Sequence, residues 1–344
     1  MSVRRGFASD NSAGVHPAVL DAIARVNQGH TFGYGHDRFT EALAERFASV
    51  FGPGAVAFPV WSGTAANVLS LRACCRPWQA AICADTAHLN VDECGAPESV
   101  AGVKLLQVVA VDGKLDPGSV RARIARVGDE HAVQPRVLTI SQATELGTIY
   151  TREEIRALAA VAHEHGLVVH MDGARLANAA AALGASLAEL TARAGVDVLS
   201  FGGTKNGLLG AEAVIFFDAE LAEGFEYLRK QSLQLASKMR FLAAQLDALL
   251  TDELWRRCAF HANAMALRLA DAVGPIDAVT ISRPVQSNAV FATLPAAAAD
   301  ALRREFDFYV WDEATSEVRW MCPWDTTPED VDTFAAALRS LLGG

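Results

Sequence analysis

Two residues in this chain have the types and setting for chemistry on a shared group: Lys205, in F201-G-G-T-K-N206, and Asp172, in H170-M-D-G-A-R175. Val196, Val198 and Leu199 read as a short buried strand, and the Gly-Gly-Thr beyond it predicts a tight turn that delivers the lysine beside the strand end. An amine in partly dry surroundings has a lowered pKa, and its neutral form condenses with a carbonyl to give a Schiff base. Taken alone, Lys205 reads equally well as a solvated loop lysine. Asp172 changes the balance. It closes an apolar strand, Leu167 to Met171, where an aspartate can pair with a protonated pyridine nitrogen. Pyridoxal phosphate needs both partners, because a protonated ring nitrogen makes the ring a good electron sink.

Other candidates fall at similar junctions. In W61-S-G-T-A-A-N67 a Ser-Gly-Thr turn opens a small-residue helix after an apolar strand. Free backbone N–H groups and the helix dipole make that terminus a phosphate seat, with Ser62, Gly63 and Thr64 closest. Plain N-capping by Ser62 or Thr64 is compatible with the same pattern. His88 lies just past another strand end, where an imidazole face could stack on a ring. Asp92 and Glu93 follow within a few residues, so carboxylate and imidazole together could serve acid–base work. Arg319 sits among Val318, Trp320 and Met321; buried there it needs an anion such as a substrate carboxylate, and on an edge strand it would face water. Ser9, in a polar N-terminal stretch, reads either as tail or as an arm offering its hydroxyl to a substrate. Tyr34, His36 and Asp37 ride on a glycine-rich loop that suggests a backbone threading close to something, a subunit boundary included.

The elements needed to position these groups are legible as alternation. Strands at 55–60, 80–84, 104–109, 136–141, 167–171, 196–199 and 213–217 are interleaved with helices at 39–51, 117–128 and 151–165, the last opened by the capping box T151-R-E-E154. Such repeats imply a mostly parallel sheet. A long helical pattern covers 219–250. Beyond Thr251-Asp252, helices at 253–273, 295–305 and 327–342 alternate with short strands, predicting an antiparallel α+β layer. This divides the chain into an arm (1–14), a large domain (15–250) and a small domain (251–344). With 344 residues, 51% hydrophobic and 20% charged, there is ample material for both. The net charge of -10 disfavours nucleic acid and anionic membrane. No uncharged run is long enough to span a bilayer, Arg4-Arg5 leads into no apolar signal segment, and six cysteines without CxxC or Cys/His spacing read as reduced cytosolic thiols, not a zinc site.

Laid out in order, Ser9-Asp10, Y34-G-H-D37, S62-G-T-A-A-N67, H88…E93, H170-M-D-G-A-R175, F201-G-G-T-K-N206 and V318-R-W-M-C322 with W324-D-T326 resemble the low-specificity L-threonine aldolases of the β-eliminating lyase group. The resemblance runs along nearly the full length. It implies a fold-type I pyridoxal-phosphate enzyme of transferase-like α/β architecture, with a seven-stranded, mostly parallel sheet in the large domain. It also implies a cytoplasmic homotetramer with shared active sites, cleaving L-threonine or L-allo-threonine to glycine and an aldehyde. Lys205 would be the Schiff-base lysine, Asp172 the partner of the ring nitrogen, and His88 the stacking group. Gly63 and Thr64 would hold the phosphate, and Ser9, Arg175 and Arg319 the substrate carboxylate. Family members often carry Y-G-D-D at the loop that reads Y34-G-H-D37 here, and a glycine-rich segment where this chain has L235-A-S-K-M-R240. Arg229, Lys230, Lys238 and Arg240 therefore all remain candidates for a phosphate cation from a neighbouring subunit. A family histidine is replaced near Glu145. The base for the β-hydroxyl is His88 or a water held by Glu93. The alternatives are another pyridoxal reaction on the same scaffold, such as β-elimination, or cleavage of phenylserine-type substrates, or a relative that acts by binding alone.

Overall fold

Seven apolar segments form the central sheet of the computed structural model, which describes residues 5–343. The strands are β1 (Val56–Val60), β2 (Gln79–Ala84), β3 (Lys104–Val108), β4 (Gln134–Ser141), β5 (Val168–Gly173), β6 (Val198–Gly202) and β7 (Glu212–Phe216). Their order is β1-β7-β6-β5-β4-β2-β3. Only β7 runs antiparallel to its neighbours; the other pairings are parallel. Strands β5 and β7 are buried at every position, as expected where helices cover both faces of a sheet.

Local chemistry explains most helix starts. Thr151 and Glu154 form the reciprocal capping box at the head of Arg152–Glu164. Asp37, an acid of the glycine-rich loop, caps the helix Arg38–Phe51 by accepting from the N–H groups of Phe39 and Thr40, both at 3.0 Å. That helix buries Leu43, Phe47 and Phe51, with Phe39 and Val50 half-buried beside them.

The pattern at 219–250 is not one helix. It breaks into a short turn at Ala219–Ala222, a helix Phe225–Gln231, an irregular stretch, and a helix Arg240–Leu250. Gly224 and Leu233 adopt left-handed backbone, with φ of 74° and 64°. The irregular stretch binds other segments instead: Gln234 Oε1 accepts from Trp61 N–H at 3.0 Å, and the Ser237 carbonyl from Tyr34 N–H at 3.0 Å. Those tertiary bonds outweigh local helix propensity. The helix expected to reach residue 128 ends at Arg123, because Arg126 turns left-handed and its guanidinium pairs with Asp129.

A second sheet, all antiparallel, has the order β10-β11-β9-β8, from β8 (Thr280–Ile281), β9 (Ala289–Thr293), β10 (Tyr309–Asp312) and β11 (Glu317–Met321). One face, with Val318 and Trp320, packs with Leu302, Phe334 and Leu338 into a smaller core that also takes Phe7 from the N-terminal arm. The helix Leu254–Val273 joins the two cores: Leu254 to Ala259 belong to the larger, Ala266 to Val273 to the smaller. The opposite face of the second sheet carries Arg319 and Met321, with Phe291, toward Leu146 of the larger unit.

Candidate active site

The ends of β5 and β6 lie side by side, with Asp172 opposite Ser200 in parallel register. Their loops touch, so a Cβ on Gly202 would stand 2.7 Å from the backbone of Ala174, and one on Gly203 would stand 2.6 Å from the Ala211 carbonyl. Glycine at these two positions is what lets the lysine turn close over the acid strand.

The result is a cavity of about 450 Å³ lined by Ser62, Gly63, Thr64, His88, Asp172 and Lys205 among others. A smaller chamber continues from it, adding Asn67, Glu93, Ser141, Glu145 and Arg175. At this size it falls in the range that takes a cofactor with a small substrate. Ser62 caps the helix Gly63–Cys74, its hydroxyl accepting from Ala65 N–H at 3.3 Å. Capping by Ser62 still leaves the first N–H groups of the helix without helical partners, at a terminus whose residues Gly63 and Thr64 line the cavity, an arrangement able to take an anion.

Lys205 is half-buried. The Arg175 guanidinium, and then burial, lower its pKa. Asn67 ties the acids together: its amide donates to Asp172 Oδ2 at 2.8 Å and to Glu93 Oε1 at 2.9 Å. Asp172 Oδ1 also accepts from Ala174 N–H at 3.0 Å. His88 Nδ1 lies 3.0 Å from Glu93 Oε1, and that hydrogen bond raises the imidazole pKa. The ligand atoms of His88, Glu93 and Asp172 all lie within 4.8 Å of one another, with the Asn67 amide already bonding both acids. Beneath Asp172, His170 is enclosed between Thr139 Oγ1 at 2.7 Å and Ser200 Oγ at 2.9 Å, and burial drives its pKa down to about 4.

Arg175 is held by Asp10, with Nη2 2.7 Å and Nε 2.9 Å from Oδ2. Asn288 donates to the other oxygen of Asp10. Arg319 stacks between Trp311 (4.8 Å) and Tyr309 (5.7 Å), and its Nε is buried without a partner. Burial, and then the nearby Arg175, pull its pKa down to about 10. Of these two neighbouring guanidiniums, only Arg175 is ion-paired, with Asp10. The surplus charge suits a carboxylate ligand.

Not every expected residue reaches the cavity wall. Ser9 caps the short turn Asp10–Ser12 through Asn11 N–H, and Asn11 is the arm residue that lines the cavity. Tyr34 is exposed, with φ of 60° and Lys230 Nζ 4.8 Å over its ring, and it lines neither chamber. Asp92 is exposed. Of the four candidate cations, Arg229 reaches the Pro59 carbonyl at 3.3 Å, Arg240 the Gln28 and Gly29 carbonyls at 3.5 Å, and Lys230 sits on Tyr34.

The sequence alone does not mark out Asn67, Asp10 as the partner of Arg175, Glu145 as a chamber acid, or Glu212. Glu145 Oε1 accepts from His88 N–H at 2.8 Å and Ser141 Oγ–H at 2.6 Å, while its buried Oε2 has no partner; burial raises its pKa. A signal existed for Asn67, one helical turn beyond Gly63 and so on the same face, and for Glu212, an acid opening an apolar strand.

The Beta-eliminating lyase family matches residues 6–297. Among similar proteins, a low specificity L-threonine aldolase of Pseudomonas aeruginosa is 46% identical over 98% of both chains. Another from a Pseudomonas species is 45% identical, covering 98% of this chain and 97% of that one. The solved structure of Leishmania major threonine aldolase superimposes with a TM-score of 0.93 at 31% identity, over 98% of this chain and 99% of the other. With the family match running across most of its length and relatives this similar covering nearly all of it, this chain belongs to the beta-eliminating lyase family.

Proposed function

We propose that this protein is a low-specificity L-threonine aldolase, a fold-type I lyase using pyridoxal phosphate to cleave L-threonine, L-allo-threonine and related β-hydroxy-α-amino acids into glycine and an aldehyde. The observation that carries the reading is the single cavity joining Lys205, Asp172, His88 and the Ser62–Thr64 turn, in a chain so similar to threonine aldolases. The cofactor fits the donor set: an amine with a lowered pKa, an acid at a strand end, and a helix N-terminus with unpaired N–H groups. Once bound, pyridoxal phosphate supplies an aldehyde that takes up amines and a ring that accepts an electron pair.

The chain's own residues do the rest. Lys205 keeps a neutral fraction because Arg175 and burial disfavour its ammonium form. Asp172, fixed by Asn67 and Ala174 N–H, would hold the ring nitrogen in its protonated form, and His88 would be the side chain lying against the ring. Arg319 and Arg175 hold the substrate carboxylate and so orient the bond to be broken, and Ser9, two residues from the cavity-lining Asn11, would join them only by releasing Asn11 N–H. The β-hydroxyl proton goes to His88, to a water held by Glu93, or to the free Oε2 of Glu145. Purified protein should show a near-visible absorbance that borohydride abolishes, and should release acetaldehyde from L-threonine. Lys205→Ala should lose the band and nearly all turnover. Normal turnover by that variant, or pyruvate and ammonia as products, would overturn the assignment.

Further parts of the proposal concern organisation. The arm, large domain and small domain take the bounds 1–14, 15–250 and 251–344, with residues 1–4 and 344 outside the described part of the structure. Exposed Phe32, Trp61, Leu209 and Leu233 support a homotetramer whose neighbouring subunits complete each site, Tyr34 and one of Arg229, Lys230, Lys238 or Arg240 acting across the boundary. The six free cysteines fit a cytoplasmic enzyme. Among the described residues no helix is long and apolar enough to cross a membrane.

A further inference from the structure

Glu212 opens β7, a strand that is otherwise Ala213, Val214, Ile215 and Phe216, and only 6% of it is exposed. Its register partners are Gly202 at the end of β6 and Val60 at the end of β1. The carboxyl group thus lies between the strand that delivers the lysine turn and the strand that delivers the Ser62–Thr64 turn, and it lines the main cavity with both. Oε2 accepts from Gly203 N–H at 2.7 Å, and Thr204 adds a further hydrogen bond from its side chain. Both donors immediately precede Lys205.

Burying an acid beside an active cavity is costly unless it is bonded or paired. Here the donors are the backbone and hydroxyl of the lysine turn itself, and the facing charge is Lys205. Beside it β1 ends in Val60, with Trp61 following, neither titratable, so Lys205 is the cation this acid meets. Lys205 in turn is faced by Arg175 after β5, Asp172 on β5, Asp10 on the arm, His88 beyond β2, and Glu212 on β7.

We propose that Glu212 is a positioning residue for Lys205: its carboxyl group clamps the Gly203-Thr204 turn and adds, beside Asp10 and Asp172, one of the counter-charges that favour a proton on the lysine nitrogen. This rests on Lys205 being the cofactor lysine. Burial brings the Glu212 carboxyl to a pKa of about 7, so its negative charge is half formed near pH 7 and grows as the pH rises above it. Of the acids facing the amine, Asp10 is already paired with Arg175 and Asp172 is tied to Asn67. Glu212 is the one bonded to the lysine's own turn.

The test uses cofactor-loaded holoenzyme and the pH midpoint of its near-visible absorbance change, which reports the proton on the Lys205 nitrogen. Glu212→Gln, nearly isosteric, keeps an acceptor for Gly203 N–H but removes the charge; the midpoint should fall by about half a pH unit or more. Glu212→Ala should show the same fall and also bind cofactor at least about tenfold more weakly, through loss of the clamp. Thr204→Val offers an independent variant: without the hydroxyl donor, less of Glu212 is ionised, and the midpoint should again fall. A purely structural acid would leave the midpoint of the Gln variant unchanged, and that result in a folded, loaded protein overturns the inference. A wild-type protein with no near-visible band would instead overturn the cofactor reading, and with it this role.

Discussion

The chamber beside Lys205 contains two groups able to take the substrate's hydroxyl proton, and their environments separate them. His88 is committed through Nδ1 to Glu93, which raises its pKa and leaves Nε2 as the working atom. Glu145 spends Oε1 on His88 N–H and Ser141, leaving Oε2 buried and unpaired. An unpaired carboxylate oxygen enclosed in a substrate chamber is costly unless a ligand hydroxyl meets it. Glu145→Gln should therefore lower kcat on L-threonine by roughly 100-fold while the near-visible band persists. A kcat within a factor of two of wild type would remove Glu145 and leave the role to His88 or to a water held by Glu93. Arg319→Lys tests the other end of the substrate: a compact ammonium cannot reproduce a bidentate fork, so KM for threonine should rise about tenfold or more with the cofactor band intact. Unchanged KM would remove Arg319 from substrate binding. Lys205 and Asp172 were legible because each follows an apolar strand, whereas the roles of Asn67 and Glu145 depend on partners far away in sequence, and no spacing rule encodes a contact across 105 residues.

His170 illustrates how a strand carries a titration. Buried between Thr139 of β4 and Ser200 of β6, it stays neutral to about pH 4, against 6.5 when exposed. A depressed folded pKa means that the stabilising contribution is complete above 6.5 and lost as pH falls toward 4, because the unfolded chain binds the proton first. Denaturant titrations should show wild-type stability declining between pH 6.5 and 4 more steeply than His170→Gln, by up to ~1.4 kcal/mol per pH unit. Parallel curves would mean the imidazole is not held neutral. The strand itself was readable from its apolar run, as was the capping box at Thr151. The break at 232–239 was not, since its helical pattern is intact and only the demands of Trp61 and Tyr34 for backbone partners undo it.

The two cores are linked to the cavity by the N-terminal arm. Phe7 is fully buried against Phe334, with ring centroids 4.7 Å apart, in the smaller core. Its N–H donates to the Asp307 carbonyl at 2.7 Å, and its carbonyl accepts from Met321 N–H at 2.8 Å. Three residues later Asp10 grips Arg175, beside the lysine, and is itself held by Asn288 next to β9. Small core, arm and cavity thus form one mechanical path, along which an apolar anchor fixes a charged group. Phe7→Ala should cost about 3–5 kcal/mol in stability. It should also loosen Asp10, so that KM for threonine rises severalfold below the melting range. Leu338→Ala makes a comparable cavity in the same core without touching the arm, and should lose about 2–5 kcal/mol with KM unchanged. If both variants alter KM equally, or neither does, the arm is a passenger on the small core and Arg175 is set by its own strand alone.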